Sequence, residues 1–394
     1  MNKKYISYIL SALILIISVY AVGNNNKRMI NSKSIEADKY SYEMKGVWVS
    51  YITLDMQNTD KSEEAFTQKI NKIIENSKSK GFNTLIVQVR PYCDAIYNSA
   101  YYPWSHILTG SQGKSPQYDP LKIICEQCHK NNMYIHAWIN PYRVSSQNTP
   151  VTLSQDNPYV MDKSIGFVHN NAIYLDPSNQ KAQQLIINGV KEIVANYNVD
   201  GIQFDDYFYP EDCDTFDDEQ YNKYKESTNS PLPKELWRAQ NVNDLIEKVY
   251  DAIHDSSDNV IFGISPQGNI DNNLSLGADV RTWLKYEGYI DYIAPQIYFS
   301  FDNPALGFED CLYNWLKTPK HEKLLFYVGL AGYKAGSDED NGTWLDSDDI
   351  LKNQIEICKE NKLDGIMLYS YESLISEQNE AEIKNVANYL NGIS

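Results

Sequence analysis

Basic residues are scarce: 35 Lys and Arg stand against 52 Asp and Glu in 394 residues, a formal net charge of -17. Nucleic acids and anionic membranes are bound by clustered Lys and Arg that displace counterions, so the charge balance excludes both partner classes. Neither GxGxxG nor a GxxxxGK run followed by Ser or Thr occurs, which leaves nucleotide binding without a motif. Six cysteines (Cys93, Cys125, Cys128, Cys213, Cys311, Cys358) in so long a chain are too few for a disulfide framework. Cys125 and Cys128 form a CxxC, but no second CxxC and no His pair at zinc-ligand spacing accompanies it. Beside Ile123 and Ile124 they read as the buried face of a helix. The six histidines are scattered, which sets aside a metal-dependent polysaccharide deacetylase. No metal and no cofactor is expected.

Tyr (31) and Trp (7), by contrast, are plentiful, and flat amphipathic rings suit sugar faces as well as cores. Lys3 and Lys4 precede an apolar run over 6–22, with Ala21-Val22-Gly23 at cleavage-like spacing, the pattern of an export signal. Residues 1–23 are therefore read as a signal peptide or N-terminal anchor, without the Cys that a lipoprotein would need. Residues 24–43, polar and rich in Asn, Lys and Ser, read as a linker, and 44–394 as one folded domain. The expected location is extracytoplasmic, secreted or at the cell surface, with membrane contact only through an uncleaved N-terminal segment.

From residue 44 onward, short β-branched or aromatic runs alternate with longer amphipathic segments, the pattern of repeated βα units. Strands are predicted over 45–51, 83–90, 133–139, 199–205, 260–265, 291–298, 324–330 and 364–370. Helices are predicted near 62–80, 119–131, 178–197, 236–256, 277–287, 304–318, 347–361 and 376–391. Eight such pairs give an α/β chain closed as a (β/α)8 TIM barrel. Its enlarged loops follow strands 2 (91–118), 3 (140–172) and 4 (206–235), and in this architecture the strand-to-helix loops carry function.

Strand alternation then sorts side chains. On the fourth strand Ile202 and Phe204 face the helices, while Gly201, Gln203 and Asp205 face the barrel, with Asp205 at its mouth. The same rule turns Gln88 and Arg90, His136 and Trp138, Gln296 and Tyr298, and Trp48 and Ser50 inward, with Asn140 just past the third strand. These groups are costly to bury without partners, so they form either a hydrogen-bonded plug or a site. An Arg90 beside Asp205 would keep that carboxylate ionised, suiting a nucleophile or charge stabiliser. Strict alternation turns Asp206 away, toward capping the following loop.

The runs MKGVWVSY (44–51), VDGIQFDDYFYP (199–210), WRAQNVNDLI (237–246), FGISPQGN (262–269), DYIAPQIYF (291–299) and LYSYESL (368–374), with three more between 88 and 179, resemble the glycosyl-hydrolase-like 10 family from about residue 44 to the C-terminus. The resemblance implies an exported TIM-barrel glycoside hydrolase acting on an envelope polysaccharide, most directly peptidoglycan glycan strands. It points to FDDYFYP, hence Asp205 and Asp206, as the core of the site. The chain departs from the family at Ala239, where a second Arg is common, and at Gln267, where Phe is common.

Glycosidic cleavage ordinarily uses two carboxyl groups. Candidates for the second are Glu372 and Asp206, then Asp94 and Glu211. Chitinase-type barrels carry DGxDxDxEYP on the fourth strand, and here Tyr207 stands where their acid Glu belongs. Asp205 and Tyr298 could still orient a substrate N-acetyl group. The candidate binding set is Trp48, Arg90, Trp104, His136, Trp138, Asn140, Tyr142, Arg143, Gln267, Gln296 and Tyr298. A non-catalytic glycan-binding barrel is the competing expectation.

Overall fold

The computed structural model describes residues 42–147, 152–212 and 215–393. The signal segment, almost all of the polar linker and Cys213 lie outside them. Met44–Ser394 form one compact unit. Eight parallel strands close into a barrel: β1 (Met44–Val49), β2 (Thr84–Arg90), β3 (Tyr134–Ile139), β4 (Gly201–Phe204), β5 (Ile261–Ile264), β6 (Tyr292–Ile293), β7 (Leu325–Ala331) and β8 (Gly365–Tyr369). Each pairs with the next, and β1 pairs with β8 as well as β2. The helices outside are α1 (Glu63–Ser79), α2 (Pro120–Lys130), α3 (Gln180–Asn196), α4 (Lys234–His254), α5 (Val280–Lys285), α6 (Phe308–Leu316), α7 (Ile350–Glu360) and α8 (Glu380–Leu390). The (β/α)8 reading holds in strand number and order. Cys125 and Cys128 lie buried on α2 as expected.

The N-terminal end of the barrel repeats one device four times. The residue before each even-numbered strand accepts a hydrogen bond from the second N–H of the preceding odd strand. Asn83 takes that of Lys45 (2.9 Å), Asp200 that of Ile135 (2.8 Å), Asp291 that of Phe262 and Asp364 that of Phe326 (both 2.7 Å). These N–H groups sit where a ladder begins, and a short Asx side chain satisfies them from the neighbouring strand.

Inside, side chains from alternate strands fill the axis, as a packed barrel requires. Gly201 and Gly263 make room: a Cβ there would fall 2.7 Å from the His136 ring and 2.2 Å from the Tyr292 ring. His136 Nδ1 lies 3.0 Å from Tyr292 Oη, which donates to Gln203 Oε1 at 3.2 Å. This chain is the polar plug foreseen for the barrel interior.

Two departures shape the mouth. The 140–172 connection is more than a loop. With the residues just after it, this connection builds a three-stranded antiparallel sheet, in which Ala172–Leu175 lies between Arg143–Ser145 and Gly166–His169. The connection after β4 carries a helix, Asp218–Ser227. The fully buried Asp217 anchors that connection by accepting from Arg238 Nε and Nη2, both at 2.7 Å. A bidentate charged pair of this kind fixes orientation as well as position.

Candidate active site

Strand β4 ends at Phe204, one residue short of its predicted span, and the shortening redirects the two aspartates beyond it. Past the strand end alternation lapses, so Asp205 and Asp206 both line one pocket of about 280 Å³ at the C-terminal mouth. The expectation that Asp206 turns away is corrected. Asp205 is 3% exposed. Its Oδ2 accepts from Trp138 Nε1 (2.8 Å) and Asn140 Nδ2 (3.3 Å), and its Oδ1 from the Tyr207 N–H (3.4 Å). Asp206 accepts from Gln296 Nε2 at 3.1 Å. Gln296 is itself held by a second bond to the Ser265 carbonyl, 3.0 Å.

Burial, followed by the charge of Asp206, pushes the Asp205 carboxyl up to about 7, against the opposing pull of Arg143. Burial also raises Asp206, offset by the Gln296 amide donor. Neighbouring carboxylates in a low-dielectric site resist ionising together. Near neutrality the pair therefore retains a proton. This corrects the expectation of an Asp205 held ionised by an arginine.

Arg90 is the reason that expectation fails. The register of β2 against β3 skips from Gln88 opposite Trp138 to Arg90 opposite Ile139, so Val89 is the extra residue of a bulge and Arg90 turns to the outward side. There its guanidinium donates to the carbonyls of Asn140 (2.6 Å) and Pro141 (2.9 Å) and lies 4.8 Å from the Tyr102 ring centre. It steadies the chain that carries Asn140 and reaches neither carboxylate. Arg143 is the cation near Asp205 instead.

Six rings wall the pocket: Trp48, Trp138, Tyr207, Tyr298, Tyr333 and Tyr369. Tyr298, Tyr333 and Tyr369 pack mutually, with ring centres 5.9 to 6.0 Å apart. A groove of about 440 Å³ continues from the pocket, bordered by Arg143, Tyr174, Tyr209 and Gln267 and by the loop after β4. Asp206 and Tyr207 line both spaces.

The structure thus brings together Asp205, Asp206, Trp48, Trp138, Asn140, Arg143, Gln267, Gln296 and Tyr298 from the candidate set. It leaves others out. His136 belongs to the plug beneath, where burial pushes its imidazole down to about 3 and keeps it neutral. Tyr142 is fully buried against Phe208. Trp104 sits in the loop after β2, bridged to Ala95. Glu372 is exposed and accepts from the Thr53 and Ser370 hydroxyls, tying the loops after β1 and β8 outside the pocket wall. Asp94 is buried with His106 and Gln112 in a separate small cavity.

Sequence reasoning did not assign Tyr333 or Tyr369 to the site. Tyr369 ends β8, so the alternation rule applied to that strand could have found it. Tyr333 lies in a turn after β7, where no periodicity points inward.

Known proteins resemble this chain in both sequence and fold. A glycosyl hydrolase YngK of Bacillus subtilis is 34% identical over 359 residues, covering 84% of this chain and 69% of that protein. A glycosyl hydrolase DigH of Escherichia coli K12 is 33% identical over 331 residues, covering 75% and 74%. Among solved structures, the PgaB (BpsB) glycoside hydrolase domain of Bordetella bronchiseptica superposes with a TM-score of 0.59 at 12% identity, over 89% of this chain and 99% of that domain. At that identity the likeness speaks to the barrel alone. The model of the family glycosyl hydrolase-like 10 matches residues 43–346, and with the two relatives above it establishes that the chain belongs to that family.

Proposed function

We propose that this barrel is a glycoside hydrolase that cleaves the glycan strands of the bacterial cell wall, with Asp205 and Asp206 as its two carboxyl groups. One observation carries the reading: the buried carboxyl of Asp205 and the half-buried carboxyl of Asp206 share a ring-walled pocket at the barrel mouth, the place where this architecture does its chemistry. A glycosidase needs one carboxyl protonated to release the leaving oxygen and another ionised, to attack the anomeric carbon, activate water or support an attacking N-acetyl group. A pair that retains one proton near pH 7 supplies both forms. The donor that the sequence left unassigned is then a member of the pair itself.

Asn140 and Trp138 hold Asp205, and Gln296 holds Asp206, so neither carboxyl need reorganise as charge develops. The names of the relatives support glycosidic chemistry. The basic and apolar N-terminal run supports an extracytoplasmic location, where such glycans are found. The test is digestion of purified cell-wall glycan, with and without stem peptides, followed by a count of new reducing ends. Release by the wild type and none by Asp205→Asn or Asp206→Asn is expected. No release by the wild type would remove the reading, and binding without release would favour a glycan-binding barrel.

A further inference from the structure

Tyr207 is one of two exposed rings of the site. It is 48% exposed and Tyr333 43%, whereas Trp48 and Trp138 are buried. Tyr207 also borders both the pocket and the groove, a property it shares only with Asp206 among their lining residues. The Arg143 guanidinium lies over its ring, with Cζ 4.2 Å from the ring centre, and the Tyr92 ring centre is 5.8 Å from the same Cζ. Among the described residues no carboxylate forms an ion pair with Arg143, and its buried Nε has no hydrogen-bond partner. The cation thus lies against the rings of Tyr92 and Tyr207, and Tyr207 stays 48% exposed where it lines the pocket and the groove with Asp206.

We infer that Tyr207 is the stacking platform for the sugar unit on the groove side of the cleaved bond, and that Arg143 is the positioning residue that holds the platform flat. An aromatic ring already steadied by a cation costs little further side-chain entropy when a pyranose lies on it. Its place next to Asp206 sets that sugar's bridging oxygen beside the carboxyl pair, so the platform fixes register as well as affinity. The inference rests on the glycan reading above but not on which carboxyl donates the proton. It assigns a non-chemical role to the residue standing where chitinase-type barrels place their acid.

The test uses full-length protein and cell-wall glycan oligomers of four sugar units. In wild-type background, Tyr207→Ala is expected to raise KM roughly tenfold with kcat within about threefold, while Tyr207→Phe and Tyr207→Trp stay near wild type. Arg143→Met, which keeps a stem but loses the cation, is expected to raise KM by roughly threefold. Calorimetric binding to the uncleaving Asp205→Asn protein, with and without Tyr207→Ala, reads the platform independently of turnover. A tenfold weaker Kd supports it. An unchanged Kd removes the platform alone, and no binding by the Asp205→Asn parent removes the glycan reading with it. Loss of kcat in Tyr207→Phe would overturn the inference by making the hydroxyl a catalytic group.

Discussion

Replacing Asp205 with Asn should abolish activity and, above neutral pH, make the protein more stable. In the native state the Asp205 carboxyl is moved from its ordinary 3.8 to about 7. At about 1.4 kcal/mol per pH unit, an ionised Asp205 then costs the fold about 4 kcal/mol. The sign comes from linkage. A carboxyl whose folded pKa is raised contributes fully below its unfolded value, and that contribution is lost as pH rises through about 7. The carboxamide of Asn never ionises, so the variant avoids the loss. Its oxygen can still accept from Trp138 and Asn140, but its NH2 takes the place of Oδ1 and meets the Tyr207 N–H donor. That mismatch costs about 1–2 kcal/mol, leaving a net gain on the order of 2–3 kcal/mol at pH 8. For a domain of this size the gain corresponds to a Tm higher by roughly 3–4 °C. Thermal denaturation of both proteins from pH 4 to 8.5 is the assay. The difference should grow with pH and should shrink or reverse near pH 4, where both side chains are neutral. A variant less stable than wild type at pH 8, or a Tm difference that does not change with pH, would refute the claim that burial of Asp205 is strained for function.

The same structure has consequences at other positions. Removing the neighbouring charge by Asp206→Asn should lower the Asp205 midpoint below about 7, readable by carbon NMR of the carboxyl; an unmoved midpoint would mean the two groups do not interact. Glu382, 2% exposed on α8, accepts the N–H groups of Ile350 and Leu351 at the start of α7. Glu382→Ala should cost about 2 kcal/mol in denaturant unfolding without changing kcat, because two helix N-terminal donors lose their partner. Gly201→Ala places a Cβ 2.7 Å from the His136 ring, so a loss of about 1–3 kcal/mol is expected. A neutral result would show that the barrel centre can yield.

The barrel was legible because short β-branched and aromatic strands alternate with longer amphipathic helices, and apart from β6 every strand and principal helix lies near its expected span. The site was legible only where side chains obey strand alternation. Trp48, Trp138, Gln296 and Tyr298 meet at the mouth as that rule requires. Arg90 does not, because a single extra residue at Val89 reverses everything after it, and nothing in the run VQVRP marks the bulge. Asp206 was misread for a related reason: the rule was carried beyond Phe204, where the ladder had ended. Strand β6 is reduced to Tyr292–Ile293 by Pro295, although Gln296 keeps its neighbours through bridges to Gln267 and Gly329. The antiparallel sheet after β3 escaped notice because its strands are only three to four residues long, too short for a period-2 signal to stand out.

The most direct test of the central claim is the release of new reducing ends from purified cell-wall glycan by wild type, Asp205→Asn and Asp206→Asn under identical conditions. Two cooperating carboxyls predict release by the wild type and a loss of at least about a hundredfold in each variant. Wild-type-like release by either variant would contradict the shared role of the pair.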